Sequence, residues 1–327
     1  MSVQLWLSTR SVPQARKAAA FENMGWDGLA FTESQNRSGD PFVALTAAAL
    51  TTTRIGLGVA VTNPTTRHPA ITAAAAMAVQ AESGGRLNLG IGRGDSALAY
   101  IGVRPAPVAL LRSFVAQVQT HLHGHAPGAR DEDWAWPAES GPPPPKVPVF
   151  VAASAPKAIQ IAAEHADRVM LAVGADPLRL RWAIDLVRAV RPDVPIGAFV
   201  NVVVNDNAEV ALKQAGGRIA TFARFSAMHG KIAGPVTDAQ REVLDGIAAD
   251  FQMTLHGLRG AHTERLTPEF AERFAVLGPG GYCVDRLVEL AALGIDRFHI
   301  IGPTPEFERE ARRRFVAQVM TPLREST

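Results

Sequence analysis

Cysteine is almost missing from this chain: of 327 residues only Cys283 carries a thiol, which excludes an internal disulfide and any metal site built from several cysteines. Long apolar runs are missing too. No uncharged stretch reaches the roughly 20 residues of a membrane span, and the opening MSVQLWLSTR has no basic segment followed by a long apolar one. A soluble, cytoplasmic protein without a membrane partner is expected. Aromatic residues are scarce at 6%, and 33 basic residues against 31 acidic ones leave a formal charge of +2. No basic stripe with interleaved aromatics exists, so nucleic acid is not an expected partner. A Gly-x-Ser-x-Gly nucleophile elbow is absent, and no metal site is expected.

What the chain does have is rhythm. Short β-rich runs alternate with Ala/Leu-rich helical ones, the pattern of parallel strands joined by crossover helices. The spacing predicts eight strands, at 3–9, 28–32, 54–63, 86–92, 147–154, 167–174, 194–204 and 296–303. Helices are predicted at 13–24, 41–52, 69–83, 105–122, 156–165, 177–190, 206–224 and 305–318. Eight βα units point to one (β/α)8 TIM-barrel domain over 1–327, an α/β fold whose structural alternative is a doubly wound open sheet. Two insertions interrupt the rhythm, at about 124–146 and 225–281, both leaving from the βα side. In a barrel that side is the catalytic face, so they read as lid or pocket segments, with an oligomer interface as the alternative.

The strand ends gather the candidate chemistry. Residues 87–102, LNLGIGRGDSALAYIG, open from an apolar strand into glycines and then a helix start. Helix-start amides and glycines suit an anion, and a tight strand-to-helix turn is the alternative. The spacing is neither common phosphate motif: the third glycine of Gly-x-Gly-x-x-Gly would fall on Asp95, and no Lys-Ser/Thr pair follows. The barrel mouth would also hold Glu33, Ser34, Thr62, Asn63, Ser154 and neighbouring residues. Such a site is rich in amides and poor in nucleophiles, as fits an enzyme whose reactive atom belongs to a cofactor.

Three segments in order, GVAVTNPTTRHPAITAAAAMAVQAESGGRLNLGIGRGDSALAYIG (58–102), VPVFVAASAPKAIQIAAEHAD (147–167) and FAVLGPGGYCVDRLVELAALGIDRFHIIGP (274–303), resemble the luciferase-like monooxygenase superfamily in its methylenetetrahydromethanopterin reductase branch. The resemblance implies the deazaflavin coenzyme F420 as cofactor, hydride transfer to or from a small organic substrate (C=C, C=N or C=O/alcohol), and a homodimer. It assigns the cofactor's side chain and phosphate to Arg93, Gly94, Asp95 and Ser96 and to Ala153, Ser154, Ala155 and Pro156, with the glycines admitting that side chain. It places a strand bulge with a non-prolyl cis peptide at Ala60–Val61, against the deazaflavin ring, and sets Thr62 and Asn63 near the ring's polar edge. Asp95 is expected to face a ribityl hydroxyl or Arg93.

One departure matters for mechanism. Many relatives end the second strand with an Asp-His pair, where this chain has Glu33 and Ser34. These become the catalytic candidates, Glu33 as proton donor, against the alternative of a structural carboxylate bonded to amides or an arginine. His68 reads as a loop histidine bonded to backbone. Phe225, Met228 and His229, with Phe251 and Met253, are candidates for an apolar substrate pocket, core packing being the commoner fate of such residues. Lys157 and nearby arginines permit a basic groove for the F420 tail. Two rival functions remain: an FMN-dependent monooxygenase using dioxygen with a partner reductase, and a non-catalytic flavin-binding protein.

Overall fold

A computed structural model describes residues 3–12, 14–35, 37–123, 142–228 and 230–325. The fold is the expected α/β TIM barrel of parallel strands. Strands pair in the order β6 (Arg168–Leu171), β5 (Val149–Ala153), β4 (Leu87–Ile91), β3 (Gly56–Thr62), β2 (Gly28–Thr32), β1 (Gln4–Arg10), β9 (Arg297–Ile301) and β7 (Ile196–Val204), and β7 pairs back to β6. Every expected strand is present, trimmed by a residue or more at most ends. A ninth, β8 (Val276–Gly278), corrects the expected count and pairs parallel with β7. It lies inside the segment read as the second insertion. Three residues are too few to show a strand period.

Contacts divide the chain into two compact units. One takes in Trp6–Ala152 and Ile161–Arg168. It carries β2–β5 with α1 (Ala18–Asn23), α2 (Pro41–Ala49), α3 (Pro69–Glu82), α4 (Ser96–Ala99) and α5 (Val108–Leu122). Asp40 starts α2: its carboxylate accepts from the amides of Phe42 and Val43, and Pro41 at the first helical position has no amide to satisfy. His68 does the same for α3, its ring accepting from the Ala70 amide at 3.2 Å. This is the backbone-bonded role expected for it. Most of the first insertion, 124–141, lies outside the described residues.

The other unit takes in Met1–Leu5, Ala153–Gln160 and Val169–Thr327. After α6 (Pro156–His165), which both units share, come α7 (Pro177–Arg188), α8 (Ala208–Arg224), α9 (Asp238–Asp250), α10 (Ala261–Glu264), α11 (Pro268–Phe274), α12 (Gly280–Ala291), α13 (Glu308–Phe315) and α14 (Thr321–Glu325). The helix expected at 305–318 is broken into a 3-10 turn, α13 and a π-turn at Val316–Met320. Helix α12 was not foreseen, because its first turn holds Gly280 and Gly281, poor helix formers. The second insertion is helical, and its inner side joins a core of Val243, Leu244, Ile247, Phe270 and Phe274 with Ile219 and Ala223 of α8. Among the described residues no helix is long and apolar enough to cross a membrane.

Candidate functional site

Within the first unit, three neighbouring strands end together. Phe31 of β2 pairs with Val59 of β3, and Val59 with Leu89 of β4. The next β3–β4 pair is Thr62 with Ile91, so three steps on β3 match two on β4. One extra residue on β3 makes a bulge. The Ala60–Val61 peptide inside it is cis, at the place the family resemblance implies. Thr62 follows, fully buried, and its hydroxyl has no hydrogen-bond partner. Asn63 is used locally: its side-chain oxygen accepts from the amides of Thr65 and Thr66, and its nitrogen donates to the Thr66 hydroxyl at 3.0 Å. These bonds fix the orientation of the Asn63 amide at the end of β3 and use one of its two N–H donors.

The glycines of β4 and of the loop after it are closely packed. A Cβ at Gly90 would lie 2.1 Å from the Val59 carbonyl oxygen and 2.2 Å from the Phe150 ring, and one at Gly92 would lie 2.7 Å from the Val61 side chain. Gly94 has a φ of +77°, and its missing Cβ would meet Leu98 at 2.8 Å. The side chains of Phe150, Val61 and Leu98 occupy the positions a Cβ would need. Each of these glycines is required for close packing around the β3 bulge.

Beyond them two loops are stitched together. Ser34, after β2, donates to Ser96 at the start of α4 across 3.5 Å, and Arg37 donates to the Tyr100 hydroxyl at 2.7 Å with its guanidinium 5.3 Å from the ring centroid. The strands that launch these loops flank β3 on either side. Two residues assigned to different roles, Ser34 and Ser96, therefore meet. Arg93 donates through Nε to the Ala106 carbonyl at 2.6 Å, and the Ala106 amide returns a bond to the Arg93 carbonyl at 2.8 Å. Burial lowers the pKa of Arg93 from its ordinary value. Asp95 precedes α4 without capping it through its side chain.

Glu33 is buried, with only 3% of its side chain exposed. Its Oε1 accepts from Arg67 Nε and from Gln35 Nε2, each at 3.4 Å, while Oε2 is buried with no hydrogen-bond partner. The arginine partner named as the structural alternative exists, yet it engages one oxygen only. Arg67 itself escaped the sequence reading. Its signal is the place it holds in the loop after β3, next to the strand that launches Glu33.

The second unit holds the remaining candidates. Ala153 ends β5, and Ser154, Ala155 and Pro156 lead into α6. Ser154 Oγ donates to the Phe225 carbonyl at 3.3 Å, which joins a cofactor candidate to a pocket candidate. The Phe225 ring packs edge-on against Phe222 at 5.3 Å, and Phe222 leans on Phe199 at 6.0 Å. Met228 is half-buried, and His229 lies outside the described residues. Phe251 packs on the buried His262 at 4.8 Å and beneath the Arg224 guanidinium at 4.4 Å, the core fate named as its alternative. The start of the insertion is pinned. Buried Arg179 donates to the carbonyls of Val173, Ala233 and Pro235 and to Ser226 Oγ. Desolvation lowers its pKa to about 10, so it stays charged at neutral pH.

The model of the luciferase-like monooxygenase family matches residues 10–297. The chain belongs to that family. Among curated relatives, the luciferase-like chain is 35% identical over 153 residues to a 5,10-methylenetetrahydromethanopterin reductase of Archaeoglobus fulgidus, covering 46% of each protein. The match thus spans about half the length of that relative. A second reductase of the same name, from Methanolobus tindarius, is 25% identical over 316 residues, covering 89% of this chain and 91% of the relative. Among solved structures, the coenzyme F420 dependent tetrahydromethanopterin reductase of Methanopyrus kandleri superposes with a TM-score of 0.74 at 18% identity, over 99% of this chain and 100% of that one. At that identity the superposition establishes the fold.

Proposed function

We propose that this luciferase-like chain is an oxidoreductase that binds coenzyme F420 and passes a hydride between the deazaflavin and a small organic substrate, with Glu33 as the proton donor. Family membership and reductase relatives support the redox class. The observation that carries the residue assignment is Glu33 itself, a buried carboxyl with one oxygen anchored and the other without a protein partner. Thr62 adds a second buried polar atom with no partner, a hydroxyl at the end of the adjacent strand. Buried polar atoms are nearly always bonded, so two bare ones at neighbouring strand ends suit a ligand with polar edges. These residues fit the proposed cofactor.

Thr62, with the backbone of Ala60 and Val61, would hold the ring, and Arg93, Gly94, Asp95 and Ser96 the ribityl and phosphate portion. Bound F420 supplies the hydride at its C5. The chain's work is to position and to protonate. Glu33 would deliver a proton from Oε2 where the acceptor develops negative charge, while its buried surroundings exclude solvent that would compete. Ser34, tied to Ser96, holds the loop after β2 beside that acid.

A self-associated state is part of the proposal. The outer faces of α2 and α3 are apolar: Val43 is 72% exposed, Leu50 69% and Ile71 60%, with exposed Ala47, Ala74 and Ala78 between them. Apolar residues on all sides of a helix mark a helix that is buried. A second copy is the proposed cover.

The functional test uses chemically reduced F420 with a panel of enones, imines and ketones, following the return of the oxidised cofactor's fluorescence. Enzyme-dependent oxidation by one acceptor class in the absence of dioxygen is expected. Turnover only with FMN and dioxygen would replace the proposal with the monooxygenase reading.

A further inference from the structure

We infer that Arg67 is the positioning residue of the Glu33 acid and that it confines the exchangeable proton to Oε2. The inference rests on the reading of Glu33 as proton donor and says which of its two oxygens works. Arg67 sits where few arginines have freedom. Its Nη2 forms a close ion pair with Asp40 Oδ2, its guanidinium lies 4.8 Å from the centroid of the Phe42 ring, and its side chain is 19% exposed. Asp40 is in turn fixed, because its other oxygen caps α2 by accepting from the Phe42 amide at 2.8 Å and the Val43 amide at 3.2 Å. The arginine is thus anchored to the start of α2, and its Nε reaches Glu33 Oε1 at 3.4 Å.

The chemistry of the donor decides the rest. A guanidinium has five N–H donors and no acceptor, so an oxygen facing it can offer a lone pair but cannot aim a proton at it. Gln35 presents a second donor to the same Oε1. When Glu33 is neutral, its O–H must therefore be Oε2–H, on the oxygen that no protein group engages. Without Arg67 the distinction rests on Gln35 alone, whose amide can turn its own oxygen towards Oε1, and the carboxyl can turn about its terminal bond. Asp40, Arg67 and Glu33 form a relay of position: a helix cap holds an arginine, and the arginine holds an acid with one face bare.

Neutron diffraction on deuterated crystals of the full chain, at a pH low enough to protonate Glu33, tests this without cofactor or substrate. In the natural protein the deuteron is expected on Oε2, with Oε1 accepting from Arg67. In Arg67→Gln, whose side chain can present an acceptor, the deuteron is expected on Oε1 or divided between both oxygens. In Arg67→Lys, again a pure donor, it is expected back on Oε2. A deuteron on Oε1 of the natural protein, or one that stays wholly on Oε2 in Arg67→Gln, overturns the inference. If Arg67→Gln does not fold, the natural protein alone still decides. The result is independent of F420: failure of F420 to bind would sink the functional reading and leave this proton assignment standing, and the reverse also holds.

Discussion

Gly90 has no room for a methyl group, because its Cβ would fall 2.1 Å from a carbonyl oxygen of the next strand. Gly90→Ala is therefore expected to destabilise the protein by about 1–3 kcal/mol or more, as overpacking does; a melting temperature equal to the natural protein's would refute the packing role. Glu33→Gln keeps the shape and removes the acid. It should lower turnover by about 10²- to 10⁴-fold, the usual worth of a positioned general acid, while F420 affinity holds within a few-fold. Equal loss of binding and turnover would make Glu33 a structural carboxylate instead. Burial pushes the Cys283 thiol up to about 12, so it is protonated at neutral pH. A thiol reagent should label it only after denaturation. At this scale the sequence showed where Glu33, Thr62 and the glycines stand but not what faces them. Phe150 reaches Gly90 from 60 residues along the chain, and Arg67 reaches Glu33 from 34 residues along it. No local pattern encodes such meetings.

Elements were legible in proportion to their length and regularity. The strands of the closed sheet are legible as short β-rich runs alternating with helical ones, and the β3 bulge through family resemblance. β8 and α12 were not, one being three residues long and the other opening on two glycines. The second insertion, by sequence a lid or pocket segment or an oligomer interface, is tied to α7. Asp176 caps α7 through the Leu178 amide, accepts from Gln240 of α9, and pairs with Arg273 of α11. Burial alone would raise its pKa, but the bonds from Arg273, Gln240 and the amide, with the arginine's charge, outweigh it and hold the carboxyl below its ordinary value. Its stabilisation is then fully present above the unfolded value, near about 3.9, and is lost as the pH falls through the folded one. Asp176→Asn keeps a capping oxygen and loses the charge. Calorimetry should find its melting temperature below the natural protein's at pH 7, with the gap closing below about pH 4. A gap that is the same at both pH values would show that the charge contributes nothing.

For the whole molecule, the sheet order and the family follow from the chain, and the quaternary state and the cofactor are proposals with direct tests. Sedimentation equilibrium should give a particle of twice the monomer mass, and a charge on the outer face of α2 or α3, as in Val43→Glu or Ile71→Glu, should shift it towards monomer. A monomer at all concentrations would leave the exposed apolar face of those helices without its proposed cover. The central claim is that the bare atoms around the β3 bulge belong to a deazaflavin site. Titration of the purified apoprotein with F420 and, separately, with FMN, followed by quenching of each cofactor's fluorescence, tests it most directly. The account predicts saturable binding of F420 that is markedly tighter than that of FMN and weakened in Thr62→Val. Tighter binding of FMN would contradict it in favour of oxygen chemistry, and binding of neither would contradict the cofactor assignment altogether.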